Sequence, residues 1–132
     1  MHSRNAPLGD ASIYLVEDDE AVCDSLGVIL EFQGATVTRL ANLSDTRAAL
    51  AFHQPDCMLI DINLPDGTGW DLLTEFRNNN VLIPAIMITG MMQHQYLDLA
   101  KLMEVDILEK PLDGDDLAAQ VESLFFRSGR IM

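Results

Sequence analysis

The sequence predicts an α/β protein in which five strands alternate with five helices around one doubly wound parallel sheet. Three observations point to it. Four short stretches of strand length each lead into polar residues: Ile13 to Val16 before Glu17-Asp18-Asp19, Cys57 to Ile60 before Asp61, Ala85 to Ile88 before Thr89-Gly90, and Asp106 to Glu109 before Lys110-Pro111. The segments between them repeat apolar residues at helical spacing. A run as continuously apolar as Ile13 to Val16 belongs to a strand buried on both faces, and such strands occur in parallel sheets joined by right-handed crossovers.

The first strand is expected over 12–17 and the first helix over about 20–33, with Val22, Leu26, Ile29 and Leu30 on one face and Gly34 as the stop. Val37, set between two threonines, marks a second and more exposed strand over 35–40. Ser44 is the expected cap of a short second helix that ends before Pro55. Strand 3 ends at Asp61, and Pro65 and Gly67 then turn the chain away. Helix 3 carries Trp70, Leu73 and Phe76 and stops at Asn78-Asn79-Asn80, residues that tolerate left-handed turns. Strand 4 runs from about Pro84 to Ile88. Helix 4, about 93–103, sets Tyr96, Leu99, Ala100 and Met103 on one side, with Tyr96 expected at the surface of that helix. Strand 5 is short, and Asp113 is placed to cap a fifth helix that repeats Leu117, Val121, Leu124 and Phe125.

The 132 residues suit one domain, expected over 11–126. Residues 1–10 read as a loose N-terminal tail, because Met1 to Pro7 lacks the apolar centre of a secretory signal. Residues 127–132 read as a tail or the start of a linker. A hydrophobic fraction of 48% without an unbroken apolar run of membrane length argues for a soluble protein and against a membrane partner. Cys23 and Cys57 fall within a helix and a strand, where small buried thiols are common, so a reducing cytoplasm is expected rather than a disulfide framework. A formal charge of −13 repels phosphate backbones and excludes direct nucleic-acid binding by this segment.

In open parallel sheets the ligand site lies beyond the carboxyl ends of the strands, where the strand order reverses. Glu17, Asp18, Asp19 and Asp61 should meet there. Crowded carboxylates raise one another's pKa unless a cation neutralises them, and oxygen-only ligands suit Mg²⁺. Taken singly, each of these acids is a solvated loop residue; their convergence is what favours a metal. Asp61 is then either a metal ligand alone or a nucleophile that attacks a phosphoryl group, with Thr89 as hydroxyl donor and Lys110 as cation. In isolation that threonine is a turn cap and that lysine a surface residue.

The stretches LVEDD at 15–19, LIDINLPDGTGWDLL at 59–73, MITG at 87–90 and EKP at 109–111 closely resemble a bacterial response-regulator receiver domain over about residues 11–126. The resemblance implies the flavodoxin-like (βα)5 fold with strand order 2-1-3-4-5. It implies Asp61 as the residue phosphorylated by a histidine kinase or histidine phosphotransfer protein in two-component, phosphorelay signalling. Mg²⁺ would be bound by Asp18 and Asp61, by Glu17 largely through water, and by the backbone carbonyl of Asn63, while Asp19 matches a more variable position. Thr89 and the Gly90 backbone would bond the phosphoryl oxygens, Lys110 would pair with the phosphoryl group, and Pro111 would follow a cis peptide. Asn63 and Met91 would tune the lifetime of the phosphate. Thr89 would then remodel the face made by helix 4, strand 5 and helix 5, which would pass the signal to a downstream protein or an effector domain missing from this chain. A phosphorylation-linked homodimer through that face is left open.

Two departures from the family pattern bear on this. Ile107 stands where many receivers place an aromatic that reports on the threonine. The segment from Thr89 to Lys110 is one residue shorter than usual, so helix 4 is expected to be shifted, shortened or mobile. The implied role is a phosphoacceptor switch and not an enzyme beyond self-catalysed phosphoryl transfer and dephosphorylation. Two alternatives stand beside it. One is a receiver-like interaction module that is never phosphorylated. The other is a phosphatase of the haloacid-dehalogenase type, which needs a second aspartate where this chain has Asn63 and places its extra acids after the lysine, whereas Glu17 and Asp18 precede Asp61.

Overall fold

The computed structural model describes residues 8–128. Counting only the strands of the main sheet, the order is β1 (Ser12–Val16), α1 (Glu20–Phe32), β2 (Thr36–Leu40), α2 (Leu43–Leu50), β3 (Cys57–Asp61), α3 (Gly69–Asn78), β4 (Ala85–Thr89), α4 (His94–Leu102), β5 (Asp106–Glu109) and α5 (Gly114–Arg127). All pairings in the sheet are parallel and the spatial order is β2-β1-β3-β4-β5, which is the topology the resemblance implied. A two-residue antiparallel bridge, Asn63–Leu64 against Gly67–Thr68, lies outside the sheet between β3 and α3.

The three central strands are apolar because both of their faces are covered. One apolar cluster joins Ile13, Leu15, Cys57, Leu59, Ile86 and Ile88 to the inner faces of α1 and α5. The other joins Tyr14, Val16, Met58, Ile60 and Met87 to α2, α3 and α4. The alternation along each strand sends successive side chains into opposite clusters. The edge strands are less enclosed: β2 has no buried residue and β5 is half-buried at best.

Helix ends follow their local chemistry. The Asp19 carboxylate accepts the Val22 N–H at the start of α1, and Asp113 accepts from Asp115 and Asp116 at the start of α5. Thr68 and Asp71 form a reciprocal capping box at α3. Helix α1 ends before Gly34, whose φ of 103° is a backbone state that favours glycine, and α3 ends before Asn80 at φ 60°.

Several expectations are corrected. Helix α2 is capped by Asn42 rather than Ser44: the Asn42 side chain accepts the Asp45 N–H, and the N–H groups of Leu43 and Ser44 are taken by Asp66, which reaches over from the loop after β3. Tyr96 does not sit at the surface. It is turned inward, its ring 6.1 Å from that of Trp70, because both rings fill the seam between α3 and α4. Residues 8–10 are not loose, since Leu8 is buried in the α1–α5 cluster and its N–H donates to the Gln33 carbonyl. The rest of the expected N-terminal tail, and residues 129–132, lie outside the described residues. Helix α4 is formed, one residue shorter at each end than its expected span.

Candidate phosphoacceptor and cation site

The carboxyl ends of β1, β3, β4 and β5 lie side by side, and this brings the predicted residues together. Asp61 closes β3, Glu17 follows β1, Thr89 closes β4 and Lys110 follows β5. The chain can reach close packing here because of Gly69: a Cβ at that position would come within 2.5 Å of the Asp61 carbonyl oxygen and 2.9 Å of Met87 Cε. Any side chain there would push the start of α3 away from the end of β3.

Asp61 is almost fully enclosed, and both of its carboxylate oxygens are engaged. Oδ1 accepts the Asn63 N–H at 2.9 Å and Oδ2 accepts the Lys110 ammonium at 2.6 Å. The same ammonium donates to Glu17 Oε1, and the Asp19 N–H donates to Glu17 Oε2 at 3.2 Å. Lys110 therefore bridges two buried acids from separate strands. One carboxylate oxygen each from Glu17, Asp18 and Asp61 lie within 4.8 Å of one another, with Asp18 exposed at the mouth. A donor set made of oxygen alone fits a hard divalent cation.

The electrostatics agree with that fit. Burial pushes the Glu17 carboxyl up to about 7, and Asp61 adds to the rise, while Lys110 and the Asp19 N–H pull against it without cancelling it. Burial alone would lower the Lys110 ammonium, but its bonds to Asp61 and Glu17 outweigh this and leave it raised.

Other predicted residues are placed as follows. Thr89 is fully buried, and its hydroxyl is not directed to the acids: it donates to the Met91 carbonyl at 2.9 Å and accepts the Met91 N–H at 3.2 Å. Gly90 is exposed, with no heavy atom within 4 Å of where a Cβ would stand. The Lys110–Pro111 peptide is cis. Asn63 and Met91 are exposed beside the site, and Ile107 packs on the cluster that contains Tyr96 and Ala100. Asp19 serves as a helix cap through its side chain. The sequence reading missed that role, although an aspartate directly before an apolar-periodic run is the usual signal for it.

Residues 13–122 match the family defined as the response regulator receiver domain. The chain belongs to the response-regulator receiver family. Among its relatives, the transcriptional regulatory protein FixJ of Bradyrhizobium diazoefficiens is 34% identical over 115 residues, covering 84% of this chain and 55% of FixJ. The DNA-binding transcriptional regulator NtrC of Salmonella typhimurium is 33% identical over 114 residues, covering 83% of this chain and 24% of NtrC. The receiver thus spans about half of the one and a quarter of the other. Among solved structures, a receiver domain protein (CheY-like) from Methanospirillum hungatei superposes with a TM-score of 0.82 at 28% identity, covering 92% of this chain and 98% of that one. A two-component response regulator from Clostridium difficile gives 0.83 at 26% identity, covering 90% and 98%. Among the described residues of this receiver, no helix is long and apolar enough to cross a membrane.

Proposed function

We propose that this receiver accepts a phosphoryl group on Asp61 from a phosphohistidine of a histidine kinase or a histidine phosphotransfer protein, and acts as a switch rather than as an enzyme. The observation that carries the reading is the buried Asp61 carboxylate bonded to Lys110 and flanked by Glu17 and Asp18 at one sheet edge. A carboxylate oxygen of Asp61 forms a bond to phosphorus while the phosphorus–nitrogen bond breaks. The donor imidazole, protonated at its other nitrogen, leaves as the neutral ring with the electron pair of the broken bond. Asp18, Asp61 and the Asn63 carbonyl would hold Mg²⁺, with Glu17 acting largely through water. Bound there, Mg²⁺ supplies positive charge against the transferred oxygens.

The chain's own groups do the rest. Lys110, already at Asp61 Oδ2, pairs with the incoming negative charge. The Asn63 N–H fixes the plane of the carboxylate. The Thr89 hydroxyl and the Gly90 N–H are the donors for the phosphoryl oxygens, and Met91 and Asn63 flank the path of attacking water. The output passes through α4, β5 and α5 to a downstream protein or an effector domain, in the cytoplasm and without nucleic-acid contact by this acidic segment.

The test is intact mass after incubation with Mg²⁺ and acetyl phosphate, beside Asp61→Asn and a chelator. One phosphoryl adduct is expected in the wild type, lost in the variant and on chelation. A folded wild type that takes no adduct from acetyl phosphate or from phosphorylated donor proteins would instead favour an interaction module that is never phosphorylated.

A further inference from the structure

Residues 90–93 join β4 to α4, and two side chains fasten this loop to the sheet. Thr89 Oγ1 holds both the carbonyl and the N–H of Met91. The Glu109 carboxylate accepts the Met92 N–H at 2.9 Å. Thr89 and Glu109 are partners in the parallel register of β4 and β5, so both fastenings sit on one rung of the sheet. The next residue is Lys110, whose N–H donates to the Thr89 carbonyl and whose ammonium reaches Asp61.

The start of α4 depends on this rung. Asp19, Asn42, Thr68 and Asp113 cap α1, α2, α3 and α5 with side-chain hydrogen bonds, whereas Gln93 at the start of α4 makes none. A carboxylate bonded one residue before Gln93 satisfies a backbone donor and lies at the positive end of the helix dipole. Glu109 is itself exposed, so packing does not account for its placement.

We infer that Glu109 is a positioning residue that holds the β4–α4 loop in its resting place and thereby opposes the Thr89 switch. This rests on the reading of Thr89 as a phosphoryl donor. A hydroxyl carries one proton. Once that proton turns from the Met91 carbonyl to a phosphoryl oxygen, half of the fastening at Met91 is lost, and the loop is held by the Met91 N–H on Thr89 Oγ1 and by Glu109. A contact made only in the resting loop lowers the population of the released, phosphoryl-accepting state, and acceptance from that state slows in proportion. Removing the carboxylate therefore loosens the start of α4 and speeds acceptance of the phosphoryl group.

The full chain is compared as wild type, Glu109→Ala and Glu109→Gln, with residue-resolved amide exchange and adduct formation from acetyl phosphate and Mg²⁺ read on the same samples. Without donor, Glu109→Ala is expected to speed exchange at Met92 and in the first turn of α4 by roughly three- to tenfold, the effect of losing one solvent-exposed hydrogen bond of ordinary net strength, while α1 keeps its rates. Glu109→Gln, which keeps an acceptor oxygen, restores most of the protection. With donor, the alanine variant reaches its adduct faster by a similar factor. Unchanged exchange at Met92, equal loosening of α1, or an adduct rate equal to that of the wild type overturns the role of Glu109. A wild type that takes no adduct overturns the phosphoacceptor reading, and with it the switching half of the inference.

Discussion

Helices α1 and α5 run 13 and 14 residues, open on aspartates whose carboxylates accept main-chain N–H groups, and bury Cys23, Leu26, Leu30, Leu117, Val121 and Phe125 against one face of the sheet. Helix α4 runs nine residues, opens on Gln93 without a side-chain cap, and buries Tyr96 and Ala100 against the other face. It packs beside β5, a strand without a buried residue. The two regions share one sheet but differ in how many contacts must break before they open. Local stability follows that difference, and elements that move in signalling come from the weaker end. Glu17 and Asp61 sit on the ends of central strands anchored between both layers, whereas Thr89 leads directly into the weaker region and Lys110 follows its edge strand.

The strongest challenge to this contrast comes from cavities. Leu30→Ala, in the α1–α5 layer at a fully buried position, is expected to cost about 2–5 kcal/mol. Leu99→Ala, at a partly buried α4 position, is expected to cost about 1 kcal/mol. Urea unfolding measures both, and equal losses would break the comparison. A second change gives α4 what the other helices have. Gln93 already holds an extended backbone with φ −120° and ψ 148°, so Gln93→Ser can cap without rearrangement and is expected to add roughly 1 kcal/mol. Amide exchange should slow in α4 and stay unchanged in α1; a gain spread evenly over both would show that α4 was never the weaker element.

The smallest effect concerns Asp66, which holds the start of α2 from another element much as Glu109 holds the start of α4. The Leu43 N–H, and after it that of Ser44, keeps the Asp66 carboxyl below the ordinary aspartate range. A depressed acid stabilises the fold above its unfolded value, near ~3.9, and loses that contribution as pH falls through the folded value. Asp66→Asn is therefore expected to lower the urea midpoint slightly at neutral pH, with the gap closing under acid. A gap independent of pH would assign the effect to shape rather than charge.

The sequence carried the local rules well. Strand runs, the Asp113 cap, the stop at Gly34 and the left-handed Asn80 all follow from residues within a few positions of where they act. The convergence of Glu17, Asp61 and Lys110 was legible too, because parallel strands place their carboxyl ends together. What stayed hidden depends on distant partners. Ser44 looked like a cap because nothing nearby reveals that Asp66, 22 positions on, takes its N–H. Tyr96 looked exposed because its partner, Trp70, belongs to another helix. The bond of the Thr89 hydroxyl to Met91 depends on how the loop after β4 closes on the strand end, and residue types do not write it.

Trp70 is the single tryptophan in the chain, and it lies against Tyr96 at the seam between α3 and α4. Its indole emission therefore arises from one place, beside α4, the element through which the proposed output would pass. A shift of α4 changes the surroundings of that ring directly, while events confined to α1 and α5 leave it untouched. The receiver holds an intrinsic optical gauge of where α4 sits, and no attached dye is needed to follow it.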